Sequence, residues 1–110
     1  MKTRICIEGI PRGNYYRCDT NGNILEPAKE VATLTVNYVT AIFHNAEGKT
    51  FVCRIVCEEN KKYLVYYIEI GKKSIEVWQE LVYKEKTKIL MMKSADASGY
   101  YAPTWFLRKD

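Results

Sequence analysis

The sequence predicts an α+β domain, a curved antiparallel sheet of five to seven strands with one helix packed across it near residues 74–85. Three observations lead there. The chain has 110 residues, 47% of them hydrophobic, which is enough to bury a core of ordinary size. Several stretches alternate apolar and polar residues and are rich in β-branched and aromatic types, the pattern of half-buried strands. One stretch instead repeats its apolar residues at the helical period.

The first strand is expected over Thr3–Glu8, with Ile5 and Ile7 on one face and Arg4, Cys6 and Glu8 on the other. Tyr15–Asp19 then leads into Thr20-Asn21-Gly22-Asn23, where Asn-Gly favours the positive φ angles of a hairpin turn. Pro27–Ala32 suits a short helix, because Pro is tolerated at a first helical position. Residues 34–43 read as the longest strand and hence a central one, and the loop His44–Lys49 returns the chain to Phe51–Cys57. A turn at Glu58–Lys61 precedes a strand over Lys62–Ile70, so these three strands form an antiparallel meander.

Residues 74–85 admit two periods. At 100° per residue Ile75, Val77, Trp78, Leu81 and Val82 share one arc, opposite Glu76, Gln79, Glu80 and Lys84. Read as a strand, Ile75, Val77, Leu81 and Tyr83 share a face, but Trp78 and Val82 fall among charged residues. Ser74 as N-cap and Glu76 in the first turn favour the helix. Lys88–Lys93 reads as a strand and Ser94–Gly99 as a loop. Tyr100–Leu107 reads as a last strand that Pro103 interrupts, which places it at an edge. With no internal repeat or linker, residues 1–110 are expected as a single globular domain.

The net charge of +4 lies wholly in the second half, where residues 61–110 carry ten Lys or Arg against six Asp or Glu. Lys outnumbers Arg twelve to five, and Glu85 interrupts the basic run Lys84, Lys86, Lys88. Dedicated nucleic-acid modules concentrate charge more densely and lean on Arg. No apolar run approaches the ~20 residues of a membrane span, and Met1-Lys2-Thr3-Arg4 opens onto no cleavable-signal pattern, so a cytoplasmic protein away from membranes is expected.

Cys53 and Cys57, four apart on one strand, lie about 13 Å from each other, too far for a bridge or a shared metal. A cross-strand pair such as Cys6 with Cys53 is geometrically open, but no Cys-x-x-Cys spacing marks a metal knuckle. Four reduced thiols are therefore expected, with no metal and no cofactor. The stretch Asp19–Asn23 with Glu30 mimics a calcium loop until its sixth position, which is Ile24 where Gly is required. His44 is the sole histidine, the six glycines stand singly, and no catalytic residue set emerges.

Nine tyrosines among fourteen aromatic residues are the most informative feature. Tyr63 and Tyr67 share one face of their strand and Tyr66 the other, so one aromatic face is core and the other must be covered. Tyr100, Tyr101 and Trp105 form a second concentration. Tyr and Trp bury much area while keeping a polar handle, as interfaces demand. The expected function is a small non-enzymatic binding protein that occludes or modulates a protein partner. Its candidate surface is Tyr63, Tyr67, Lys72, Lys73, Tyr100, Tyr101 and Trp105. Short chains rich in Lys, Tyr and Ile are often encoded by mobile elements as inhibitors of host systems, a prior about protein populations. The alternatives are a nucleic-acid-binding small β domain and a metal-independent nuclease-like enzyme using Tyr, Lys, Arg and His44. A homodimer through the edge strand around Pro103–Leu107 is a further expectation.

Overall fold

A computed structural model describes residues 4–5, 10–25, 32–95 and 102–109. Nine strands run in chain order: β1 Arg4–Ile5, β2 Gly13–Cys18, β3 Thr33–Asn37, β4 Thr40–His44, β5 Thr50–Glu58, β6 Lys61–Ile70, β7 Lys73–Lys84, β8 Ile89–Ser94 and β9 Thr104–Lys109. From β2 to β9 each strand pairs antiparallel with the next, and β9 returns to β2 with Tyr16 opposite Leu107. The result is a closed eight-stranded up-and-down barrel. β1 lies outside that ring and pairs with Val56 and Cys57 of β5.

No helix occurs among the described residues, and the expected α+β class is overturned. Residues 74–84 fall in β7, the longest strand of the barrel. Val77, Gln79 and Leu81 are buried facing inward, while Trp78, Glu80 and Val82 point out. The helical period misled because the outer wall is itself partly apolar. Trp78 packs edge-on against Tyr63, centroids 5.4 Å apart, and so finds apolar cover without facing the core. A polar residue is also accepted inside, since the Gln79 side-chain Nε2 donates to the Tyr66 hydroxyl at 2.6 Å.

Residues 34–43 are two strands rather than one, because the chain reverses at Tyr38-Val39 and sets Asn37 opposite Thr40. Tyr38 takes φ 57° there, a conformation costing a non-glycine residue about 1–2 kcal/mol. Arg12 holds it in place: its guanidinium lies 5.1 Å from the ring centroid and Nη1 donates to the hydroxyl at 3.1 Å. The meander over β4, β5 and β6 matches expectation. Asn45 Oδ1 accepts the N–H groups of Glu47 and Lys49 in the β4–β5 loop, and Glu59-Asn60, both at positive φ, make the β5–β6 turn. At Asn21-Gly22 the chain does turn, capped by the Asp19 carboxylate, but it continues only as far as an isolated bridge between Ile24 and Cys18.

The last strand is not an edge. β9 begins just after Pro103 and is paired on both sides, with β2 and with β8. The proline constrains the approach to the strand without interrupting its ladder, so the expected dimer edge around Pro103–Leu107 is absent. The Pro27–Ala32 helix lies largely outside the described residues, as do most of the Thr3–Glu8 strand and the Ser94–Gly99 loop.

Inward-facing side chains fill the barrel unevenly. Tyr15, Leu34, Ile55, Leu64 and Leu90 are wholly excluded from solvent, and Ile10, just before β2, is buried with them. Ile55, Leu64 and Leu90 lie near the β5–β6 and β7–β8 turns, whereas Tyr15 and Leu34 are in register with Phe43 near the β4–β5 loop. At the opposite end, below the β4–β5 loop and the β6–β7 turn, the described residues leave the interior open. A barrel of eight strands is just wide enough either to be filled by side chains or to hold one small group, and this one does each at a different end.

Candidate binding cleft

The open end follows from how far the ladders run. β6 pairs with β7 along its whole length, from Lys62 opposite Leu81 to Ile70 opposite Lys73. Its pairing with β5 stops at Arg54 opposite Val65, and β7 pairs with β8 only from Gln79 onward. The distal β6–β7 hairpin, residues 66–77, thus forms an arm that stands beside the barrel mouth without a neighbouring strand among the described residues. Between the arm and the start of β5 lies a cleft of about 790 Å³.

Rings and aliphatic side chains make its walls. Phe43 and Phe51, opposite each other on β4 and β5, stack with centroids 6.0 Å apart, and Tyr66 lies 5.1 Å from Phe51. Ile68 lines the arm side and Met92 the side of β8. The polar groups are the hydrogen-bonded Tyr66–Gln79 pair, together with Asn45, Lys49, Thr50, Tyr67, Glu69 and Thr104. An apolar hollow of several hundred Å³ with a few convergent polar groups is the usual form of a site that holds a small group. An amide and a phenol bonded to each other can orient an occupant, but neither is a nucleophile activated by a base.

The outer wall at the root of the arm carries a second cluster. Glu76 accepts from Trp78 Nε1 at 2.5 Å and from the Tyr67 hydroxyl at 2.7 Å, with Arg54 Nη2 at 3.5 Å. The indole hydrogen bond, followed by the phenol, holds the Glu76 carboxyl below the usual carboxylate range, and the same carboxylate pushes the Tyr67 phenol up. This cluster links β5, β6 and β7 where the arm leaves the barrel.

The expected surface residues do not converge. Tyr67 borders the cleft, 54% exposed, and Lys72 and Lys73 sit at the tip of the arm. Tyr63 packs on Trp78 on the outer wall. Trp105 lies on a different face, beside Met91, Val82 and Ile89 in a shallow hollow of about 180 Å³. Tyr100 and Tyr101 lie outside the described residues. Sequence reasoning missed Phe43, Phe51, Ile68, Gln79 and Met92. Phe43 and Phe51 had a readable signal, since they flank the His44–Lys49 loop at the symmetric positions of a hairpin.

His44 is exposed, its Nδ1 2.9 Å from the Thr50 hydroxyl, and none of the described cysteines is placed beside it in a hydrogen bond. Among the described residues no three His, Cys, Asp or Glu gather as a metal site. Cys18 and Cys53 are free and buried, and burial pushes the Cys53 thiol up to about 12. Cys57 is disulfide-bonded to a residue outside the described set, which overturns both four reduced thiols and a Cys6–Cys53 pair. The expectation failed because the register of β1 against β5, which sets what lies near Cys57, is not written in the local pattern. Among the described residues no helix is long and apolar enough to cross a membrane.

Fold and cleft together define a small closed β-barrel with one filled end and one open apolar end. Compared with known families, curated proteins and solved structures, the chain matches none.

Proposed function

We propose that the protein is a non-enzymatic binding protein whose open barrel end receives an apolar, ring-bearing group. The observation that carries this reading is the cleft of about 790 Å³, walled by Phe43, Phe51, Tyr66, Ile68 and Met92 at one end of an otherwise filled barrel. Offset and edge-on ring contacts favour an aromatic occupant by about 0.5–1.5 kcal/mol beyond area burial. The lining carries one cation, Lys49, and one anion, Glu69, so it favours neither a polyanion nor a polycation. That balance favours this reading over a nucleic-acid groove, which needs a basic track along its stacking platform.

The test is titration with 1-anilinonaphthalene-8-sulfonate followed by methyl NMR. Saturable shifts at Met92 and Ile68, with Ile55 at the filled end unmoved, are expected. Ile68→Glu should weaken the probe at least tenfold while the fold is retained. Absence of saturation, or shifts centred on Ile55, would overturn the reading.

A further inference from the structure

We infer that the hollow on the outer wall of β7, β8 and β9 is a second binding site, and that it takes a small free acid built from one aromatic ring and a carboxylate.

The register supplies the first argument. Val82, Met91 and Trp105 stand opposite one another on three adjacent strands, and the alternation that buries Leu81, Leu90, Met92 and Phe106 turns all three outward. Ile89 shares their face two residues along β8. The solvent side of an antiparallel sheet is ordinarily polar, yet here four apolar side chains meet, each only half-covered.

The loop after β2 shapes one wall. The Asp19 carboxylate accepts the backbone N–H groups of Asn21 and Asn23, each at 2.9 Å, and so fixes the turn. This turn lies against the strands closely enough that a Cβ on Gly22 would sit 3.4 Å from Ile89 Cδ1. Thr20 lines the hollow from the loop, and Lys84 and Thr87 line it from the β7–β8 hairpin. A wall held by its own hydrogen bonds spares an occupant the entropy of ordering it.

Size and charge name the occupant. The hollow has about 180 Å³, below the ~300–1,000 Å³ of pockets for drug-sized ligands but above the ~150 Å³ in which an apolar cavity takes up benzene. One ring fits, and two fused rings do not. Among the described residues no acid lines the hollow, and Lys84, exposed and without an ion pair, supplies a cation at its border. A carboxylate on the ring meets that ammonium, whereas a ring bearing an amine meets a like charge.

The backbone argues against a peptide. Met91 is paired with Val82 and with Trp105, and Trp105 with Met91 and with Cys18, so the strands beneath the hollow are committed to ladders on both sides. A chain terminus ending in an aromatic residue brings amide groups that find no backbone partner there. A free acid brings none.

Titration of the full chain with phenylacetate, followed by NMR, tests the site. Saturable shifts with one midpoint are expected at the Met91 methyl and the Trp105 indole N–H, whether or not Met92 in the cleft also moves. Phenylacetate should bind about three- to fivefold more tightly than phenylacetamide, the margin that a solvent-exposed ion pair supplies, and phenethylamine should bind more weakly still. Lys84→Gln, a change at an exposed position, should erase that margin while the ring still binds. Naphthylacetate should bind no more tightly than phenylacetate. Absent or unsaturable shifts at Met91, equal binding of acid and amide by the wild type, an unaltered margin in Lys84→Gln, or affinity that climbs with ring count would each overturn the inference. Tighter binding of the peptide Gly-Gly-Phe than of phenylacetate would overturn the assignment to a free acid. The cleft reading is tested separately, because its reporters are Met92 and Ile68.

Discussion

Gln79 shows how one side chain can tilt the reading of a whole element. A glutamine between Trp78 and Glu80 reads as part of a polar face, yet it is 4% exposed and points into the barrel. The Tyr66 hydroxyl makes this tolerable by accepting from its Nε2. Tyr66→Phe removes that acceptor and leaves a buried donor unmatched, so urea unfolding should register a loss of about 1–3 kcal/mol. A loss below about 0.5 kcal/mol, the range of ordinary surface changes, would mean that the amide has another partner. Cys57 offers a second test at the same scale. Since it is disulfide-bonded, a reductant should lower the thermal midpoint, whereas a chelator should leave it in place. Removing a native disulfide from a small domain costs about 2–5 kcal/mol, and an unchanged midpoint in reductant would show that this link carries no stability.

Among the elements, the β6–β7 arm is the one whose position decides whether the cleft exists, and the Glu76 cluster holds its root. Arg54 belongs to β5 and Glu76 to β7, so their contact, with Tyr67 between them, spans the point where the β5–β6 ladder stops. Glu58 and Tyr63 border a shallow hollow together with Glu76 and Trp78. The Glu76 carboxyl is held low in the folded state, so its contribution is fully present above the ordinary glutamate range. It is lost as pH falls through the lowered folded value. The Trp78 indole N–H resonance should therefore titrate with a midpoint below ~4.3, and exchange of the arm amides should accelerate over the same interval. A midpoint at or above that range would remove Glu76 as the anchor. The strands themselves were largely legible: β5, β6 and β8 lie within a residue or so of where alternation placed them. Legibility ended where an element depended on something remote. The reversal at Tyr38 uses a tyrosine at positive φ held by Arg12, twenty-six residues away, and no local turn signal announces it. The strand character of β7 depends on Tyr63 and Tyr66 of a neighbouring strand. The cleft was half legible, because two aromatic faces on residues 63–67 demanded cover. Which face became core depended on closure of the barrel, a property no single stretch encodes.

At the scale of the whole molecule, closure removes the sheet edges that an open antiparallel sheet would expose, and among the described residues of the ring the arm extends beyond that closure. Such a barrel should be stable at its filled end and soft at its open one, because stability follows buried apolar contact and is not uniform along a strand. β6 runs through both regions and permits a comparison within one element. Leu64 is fully buried among Ile55, Leu81 and the rest of the filled core, so Leu64→Ala removes atoms that nothing can replace and should cost about 2–5 kcal/mol in urea. Ile68 is half-buried against the cleft, where solvent or an occupant already reaches it. Ile68→Ala should cost about 1 kcal/mol or less, in proportion to the smaller area it removes from contact. Saturating anilinonaphthalene sulfonate should sharpen the contrast. A ligand that binds only the folded state adds stability by mass action, so it should raise the midpoint of the wild type and of Leu64→Ala alike, and that of Ile68→Glu hardly at all. Equal costs for the two alanine substitutions would mean that both ends are packed alike, and the cleft would then be too well filled to receive anything.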